Sequence, residues 1–69
     1  MNLRQMEVFR AVMLTGGASG AAELLHVSQP AISKVLAQCR RQLGFALFLR
    51  VKGRLVPTPE AQALHVEIE

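Results

Sequence analysis

The 69-residue sequence contains no tryptophan, no tyrosine and no aspartate, and it has a single cysteine, Cys39. One cysteine cannot form an internal disulfide, which excludes a small secreted domain held together by disulfide bonds. Two histidines and one cysteine, without any aspartate, are too few for a metal centre or a hydrolytic triad. We therefore predict no catalytic residue, no metal site and no cofactor, and hence a protein that is not an enzyme.

Long hydrophobic runs are also absent, since the longest run of five residues extends only from Phe45 to Leu49. A membrane-spanning helix needs about 20 apolar residues. Arg4, Glu7 and Arg10 interrupt the N-terminal segment, which excludes the apolar core of a signal peptide. Hydrophobic residues nevertheless make up 51% of the chain, which favours one small folded domain over a disordered tail. We expect a cytoplasmic protein that does not contact a membrane.

The charged residues are distributed unevenly along the chain. Acidic and basic side chains cancel in residues 1–30, whereas residues 31–57 hold six basic side chains and no acid, and residues 58–69 hold three glutamates. The formal net charge is +3 and the isoelectric point is about 10.0. A basic segment of this kind indicates a polyanionic partner such as nucleic acid, although a solvated surface is the alternative interpretation of any charge run.

Capping residues and apolar spacing predict two helices in the first part of the chain. Asn2, followed three residues later by Gln5, forms a capping-box pattern for a helix that ends before the glycine pair at 16–17. Ser19 is the expected cap of a second, short helix. The two adjacent alanines of that helix would let a neighbouring helix approach closely.

A third helix is predicted from Gln29 to Leu43, with Ser28 as its cap and Gly44 after its end. Its apolar residues recur at helical spacing on one narrow face, which we expect to be buried. The opposite face is small, polar or basic, and it comprises Pro30, Ser33, Lys34, Ala37 and Arg41.

The last part of the chain predicts a hairpin and a further helix. Apolar runs at residues 45–50 and 55–57 flank a Lys-Gly turn, a pattern typical of a β-hairpin. Thr58, followed by a proline, then caps a helix over residues 58–69. Because this helix reaches the last residue without a stop signal, we expect it to be the truncated start of a longer one.

This order of elements predicts a mainly α fold, a winged helix-turn-helix. Three helices and a two-stranded β-hairpin wing would occupy residues 1–57, and residues 58–69 would begin a linker helix. The turn between the second and third helices would let the third enter a DNA major groove by its N-terminal end. The basic hairpin would reach phosphates or the neighbouring minor groove.

The sequence resembles the DNA-binding domain of LysR-type transcriptional regulators along essentially its whole length. The segments at residues 9–13 and 53–58 are most similar to regulators of amino-acid or opine metabolism. The stretches that carry the family resemblance are Asn-Leu-Arg-Gln at 2–5, Ala-Ala-Glu-Leu-Leu-His-Val-Ser-Gln-Pro-Ala-Ile-Ser-Lys at 21–34, Leu-Gly at 43–44 and Leu-Phe at 47–48.

The resemblance implies that ten residues contact double-stranded DNA. Gln29 and Pro30 would touch base edges, although Pro30 has the alternative role of shaping the first turn of its helix. Ser33 and Lys34 would contact bases or phosphates, and hydroxyls at helix starts would hold phosphate oxygens. The full set is Ser19, Ser28, Gln29, Pro30, Ser33, Lys34, Arg41, Arg50, Lys52 and Arg54.

Several positions depart from the family pattern. Lys34 stands where arginine is usual, so whether it reads a base or only a phosphate stays open. Gly20 is a poor helix former at the start of a helix. Cys39 replaces a core leucine, and we expect it to be a small buried hydrophobe rather than a redox switch. Separately from these departures, Arg40 lies close to the buried face of the third helix, and we predict that it packs or pairs within the protein.

Family membership would also imply partners beyond DNA. We expect a homodimer formed through the helix from Thr58, a tetramer in the full-length protein, and a small-molecule inducer bound by a C-terminal domain outside this sequence. The expected function is sequence-specific binding to an interrupted dyad by a bacterial transcription regulator. The alternative is a winged helix that only binds other proteins, and the basic residues Lys34 and Arg41 argue against it.

Overall fold

The computed structural model describes residues 1–68, and the side chains of residues 1–67. The elements are α1 (Leu3–Thr15), α2 (Ala18–Leu25), α3 (Gln29–Leu43), β1 (Phe48–Val51), β2 (Arg54–Pro57) and α4 (Pro59–Ile68). Their order confirms the predicted winged helix-turn-helix, with α2 and α3 as the helix-turn-helix and the antiparallel β1–β2 pair as the wing. Glu69, the end of the predicted linker helix, lies outside the described residues. None of the helices in this part of the chain is long and apolar enough to span a membrane.

Local chemistry fixes both ends of α1. The Gln5 N–H donates to Asn2 Oδ1 at 2.8 Å, and the Asn2 N–H donates to Gln5 Oε1 at 3.0 Å, which confirms the capping box. Gly16 ends the helix in the left-handed conformation, with φ 82°, and its N–H donates to the Val12 carbonyl oxygen. Glycine takes this conformation without steric cost.

The start of α2 corrects one prediction, because Ser19 does not cap this helix. Gly17 occupies the cap position in extended conformation and makes no side-chain hydrogen bond, while Ser19 lies exposed in the first turn. The hydroxyl of Thr15 lies 2.7 Å from the Ala11 carbonyl oxygen and 3.2 Å from that of Gly17. These hydrogen bonds hold the α1–α2 connection to two residues, so α2 begins before Ser19.

Gly20 is placed where α2 passes close to the end of α1. A Cβ atom added at this glycine would lie 2.7 Å from Cβ of Thr15 and 3.0 Å from its Oγ1. Real Cβ atoms do not approach so closely, so the contact requires glycine despite its low helix propensity.

The turn of the helix-turn-helix is built from His26, Val27 and Ser28. His26 ends α2 in the left-handed region with φ 58°, and the Val27 N–H donates to the Ala22 carbonyl oxygen at 2.9 Å. Ser28 then caps α3 as predicted, since its Oγ accepts the Ala31 N–H at 3.2 Å. These bonds set the direction in which α3 leaves α2.

The wing turns at Lys52 and Gly53, which have φ angles of 51° and 77°. Two positive φ angles in a two-residue loop are the signature of a type I′ hairpin, whose twist matches that of paired strands. The register pairs Arg50 with Leu55 and Val51 with Arg54. The predicted Lys-Gly turn is therefore confirmed.

Only the second half of the apolar run at residues 45–50 forms a strand, because β1 begins at Phe48. The Thr58 hydroxyl donates to the Ala46 carbonyl oxygen at 2.9 Å, and the Thr58 N–H donates to the Leu47 carbonyl oxygen at 3.0 Å. These carbonyl groups therefore bond to the loop before α4 and not to a strand. The same hydroxyl accepts the Ala61 N–H at 3.1 Å, which confirms Thr58 as the cap of α4.

Two hydrophobic clusters pack against adjoining faces of α1. The first joins α1 to α2 and α3, and it consists of Val8, Ala11, Val12, Ala21, Ala22 and Ile32. The second joins α1 to α3, the loop before β1 and α4, and it consists of Phe9, Cys39, Leu47 and Ala61. Cys39 is fully buried, as predicted, and burial raises the pKa of its thiol. It therefore acts as a core side chain.

We expect Gly20→Ala to destabilise the domain, because the steric cost of overpacking against Thr15 exceeds the gain in helix propensity. The free energy of unfolding, measured in urea, should fall by about 1–3 kcal/mol. Gly17→Ala is the matched control, since a Cβ there meets nothing within 4 Å. That control should lose less than about 1 kcal/mol. A Gly20→Ala protein as stable as the parent would contradict the close contact.

Candidate nucleic-acid interface

A groove with a volume of ≈ 330 Å³ separates the α1–α2 connection from the wing, and the start of α3 lies along it. It is lined by residues from three parts of the chain that are far apart in sequence. Five of the ten predicted DNA contacts lie there, namely Ser19, Gln29, Ser33, Arg50 and Arg54. Tertiary structure thus joins the predicted recognition helix to the predicted wing in one surface, hereafter the wing groove.

The N-terminal turns of α3 present their polar side chains to solvent. Gln29, Pro30, Ser33 and Lys34 are all exposed, whereas Ile32 between them is fully buried. The Ser28 hydroxyl accepts a backbone N–H and keeps its own O–H free to donate, so it can hold a phosphate oxygen while it caps the helix. This end of α3 is therefore accessible to a duplex.

Arg54 brings positive charge to the start of α2. A Cβ added at Gly16 would lie 3.7 Å from Nη2 of Arg54, so the guanidinium lies against the α1–α2 connection. The first amides of α2 have no side-chain cap. A cation next to an open helix N-terminus favours an anionic ligand, because both carry positive potential.

The other five predicted contacts lie outside the wing groove. Ser28, Pro30 and Lys34 adjoin it on the exposed side of α3, and Lys52 is at the exposed tip of the wing. Arg41 is exposed too, roughly 10 Å further along the helix than Lys34. Its contact with DNA stays a prediction.

Sequence reasoning missed the backbone that forms one wall of the wing groove. Gly16, Gly17, Ala18 and Gly20 line it, with Thr15 at the edge. The glycine pair between two helices was the available signal, because residues without side chains let a ligand approach the backbone. From the sequence alone, that pair predicts only the end of a helix.

The side chains of residues 1–67 that line the wing groove include no carboxylate. In the same range the one ion pair within 4.0 Å joins Arg4 to Glu7 on α1, at 3.6 Å. Nor do three histidine, cysteine or glutamate side chains come close enough there to hold a metal ion. The groove is therefore suited to a polyanion.

A sequence model described as "Bacterial regulatory helix-turn-helix protein, lysR family" matches residues 3–62. The chain belongs to the LysR family. Its relatives include the HTH-type transcriptional regulator DgcR of a Pseudoalteromonas species, 56% identical over all 69 residues, which make up 24% of that protein. The octopine catabolism/uptake operon regulatory protein OccR of Rhizobium meliloti is 49% identical over 69 residues, or 23% of its length. The chain thus spans about a quarter of these relatives.

The solved structures agree with the family. The DNA-binding domain of CbnR in complex with DNA superposes with a TM-score of 0.91 at 33% identity, covering 97% of this chain and 77% of that one. This chain is therefore a winged helix-turn-helix of the kind with which LysR-family transcriptional regulators bind specific DNA sequences. The likeness to OccR also agrees with the predicted similarity to regulators of opine metabolism.

We expect Arg54→Ala to weaken binding to any DNA duplex and to flatten its salt dependence, because a phosphate contact is sequence-independent. The slope of log affinity against log salt should fall in magnitude by about 0.9 per bound chain. Val56→Ala, a neutral change at an exposed position of the same strand, is the control. An unchanged slope in Arg54→Ala would remove this arginine from the interface.

Proposed function

We propose that this LysR-family chain recognises one half of an interrupted dyad in double-stranded DNA and thereby regulates transcription in the bacterial cytoplasm. The observation that carries the proposal is the wing groove, in which the exposed start of α3 meets the open start of α2 and two wing arginines. The exposed Lys34 and Arg41 on α3 disfavour a domain that only binds proteins. The proposal includes no catalytic step.

In this proposal α3 enters the major groove by its N-terminal end. Gln29 hydrogen-bonds a base edge, because its amide offers a donor and an acceptor side by side. Pro30 makes an apolar contact next to it, and Ser33 and Lys34 contact bases or flanking phosphates. The remaining six residues of the predicted set hold the DNA backbone, with the wing reaching the adjacent phosphates or the minor groove.

We further propose that the protein acts as a homodimer through α4. Thr58 fixes the start of α4 to the base of the wing, so the helix leaves the domain in a defined direction. Exposed apolar side chains on three helices, Leu14, Leu24 and Val66, provide surface for a second copy. Assembly into tetramers and the binding of an inducer would need parts of a longer protein.

Gln29→Ala should relax sequence preference, because the substitution removes hydrogen bonds to one base pair only. We expect the affinity for a duplex carrying the dyad upstream of the protein's own gene to fall by about 1–3 kcal/mol relative to a random duplex. Fluorescence anisotropy at low and moderate salt measures both. Gln42→Ala, at an exposed position in the last turn of α3, is the matched control. Equal losses on the two duplexes would refute base reading by Gln29.

Two chains should bind one dyad duplex, and the spacing of its half-sites should matter. Inserting about 5 base pairs between the half-sites turns one of them to the opposite side of the helix, which should abolish the tight two-chain complex. An insertion of about 10 base pairs is the control, since it returns both half-sites to the same side of the duplex. Sedimentation velocity gives the stoichiometry and anisotropy the affinity. Tight binding regardless of spacing would contradict a dimer.

A further inference from the structure

A second groove continues from the wing groove along α3. It has a volume of ≈ 270 Å³ and lies between the outer side of α3 and β1. Ser33 and Arg50 line both grooves, so the two surfaces are contiguous. The floor of the second groove is apolar, and Arg40 lies at its far end.

The sequence predicted that Arg40 packs or pairs within the protein, and the structure contradicts this. The side chain is exposed, and it makes no hydrogen bond or ion pair with the described part of the chain. Arg50, which lines the same groove, is likewise exposed and unpaired among these residues. The described residues that line this groove include no carboxylate that could neutralise either one.

Helical spacing aligns Arg40 with a residue of the proposed DNA contact. Ser33, Ala37 and Arg40 follow at intervals of four and three residues, so they lie on one side of α3. Along the helix axis, Arg40 is roughly 10 Å from Ser33. The DNA major groove is about 12 Å wide, so a helix whose first turns read bases carries this arginine near the phosphates at the groove edge.

We infer that Arg40 and Arg50 together hold a backbone phosphate of the DNA, at a site in the second groove that lies beyond the base-reading end of α3. The inference rests on the proposed DNA binding and extends its footprint along the strand. Two guanidinium groups that face one groove without a carboxylate repel each other, and an anion between them relieves this repulsion. Arginine suits this role because its planar fork matches the geometry of a phosphate.

An acidic segment of another protein is the competing occupant of the second groove, because its apolar floor and basic rim would suit such a segment as well. The second groove is contiguous with the wing groove, and this favours DNA as its occupant. A duplex that lies over Ser33 and Arg50 in the wing groove already covers the entrance to the second groove. A separate protein partner would have to share those two residues with the DNA.

The test is the salt dependence of binding by Arg40→Gln. We expect weaker binding to the dyad duplex and to a random duplex by the same factor, and a slope of log affinity against log salt reduced by about 0.9 per bound chain. Raising salt from 50 to 200 mM should therefore weaken this variant about 3.5-fold less than the parent. Arg40→Lys, which keeps the charge, should retain the parent slope.

Arg4→Gln is the matched control, because it removes the same charge from an exposed arginine on α1. Its slope should equal that of the parent. An unchanged slope in Arg40→Gln, in a parent protein that binds DNA, would overturn the inference, as would a loss confined to the dyad duplex. Failure of the parent to bind either duplex would refute the proposed function itself. Because Arg40 is exposed, the thermal midpoints of Arg40→Gln and Arg40→Lys should match that of the parent.

Discussion

The burial of α1 between two hydrophobic clusters is the constraint on which the rest of the structure depends. Val8 and Val12 face the helix-turn-helix, and Phe9 faces Cys39 and the base of the wing. Because one helix contributes to both clusters, the wing and the recognition helix are held at a fixed relation to each other. A lone hydrophobic core in a domain of this size contributes only about 3–5 kcal/mol to the free energy of unfolding. Loss of either cluster would therefore unfold the domain and disrupt the proposed DNA-binding surface with it.

The close packing of α2 against the end of α1 also shapes the wing groove. The Thr15 hydroxyl and the close approach of Gly20 keep the α1–α2 connection short, so the first amides of α2 open into the wing groove. Arg54 lies against that connection from the other side. Residues that fix the backbone conformation and residues that carry positive charge thus lie together at the wing groove. A polyanion placed there meets helix dipoles and guanidinium groups at once.

Much of the fold followed from local signals that need no tertiary information. Asn2, Ser28 and Thr58 are followed by helices because their side chains accept backbone N–H groups that the helix itself leaves unpaired. Gly44 ends α3, and Gly53 completes the hairpin turn, because glycine tolerates left-handed backbone. The resemblance to a family added a prediction of which exposed residues contact DNA. Periodicity alone does not distinguish such residues from any other solvated surface.

The sequence by itself thus determined the elements, their caps and the basic character of the middle of the chain. Tertiary structure decided three things that local rules got wrong or left out. The second helix starts at Ala18 because Thr15 shortens the connection before it, and β1 starts at Phe48 because Thr58 takes the preceding carbonyl groups. Arg40 lines a groove with Arg50 instead of packing or pairing within the protein. Each outcome depends on contacts between residues that are near in space, and a pattern of spacing along one element cannot contain them.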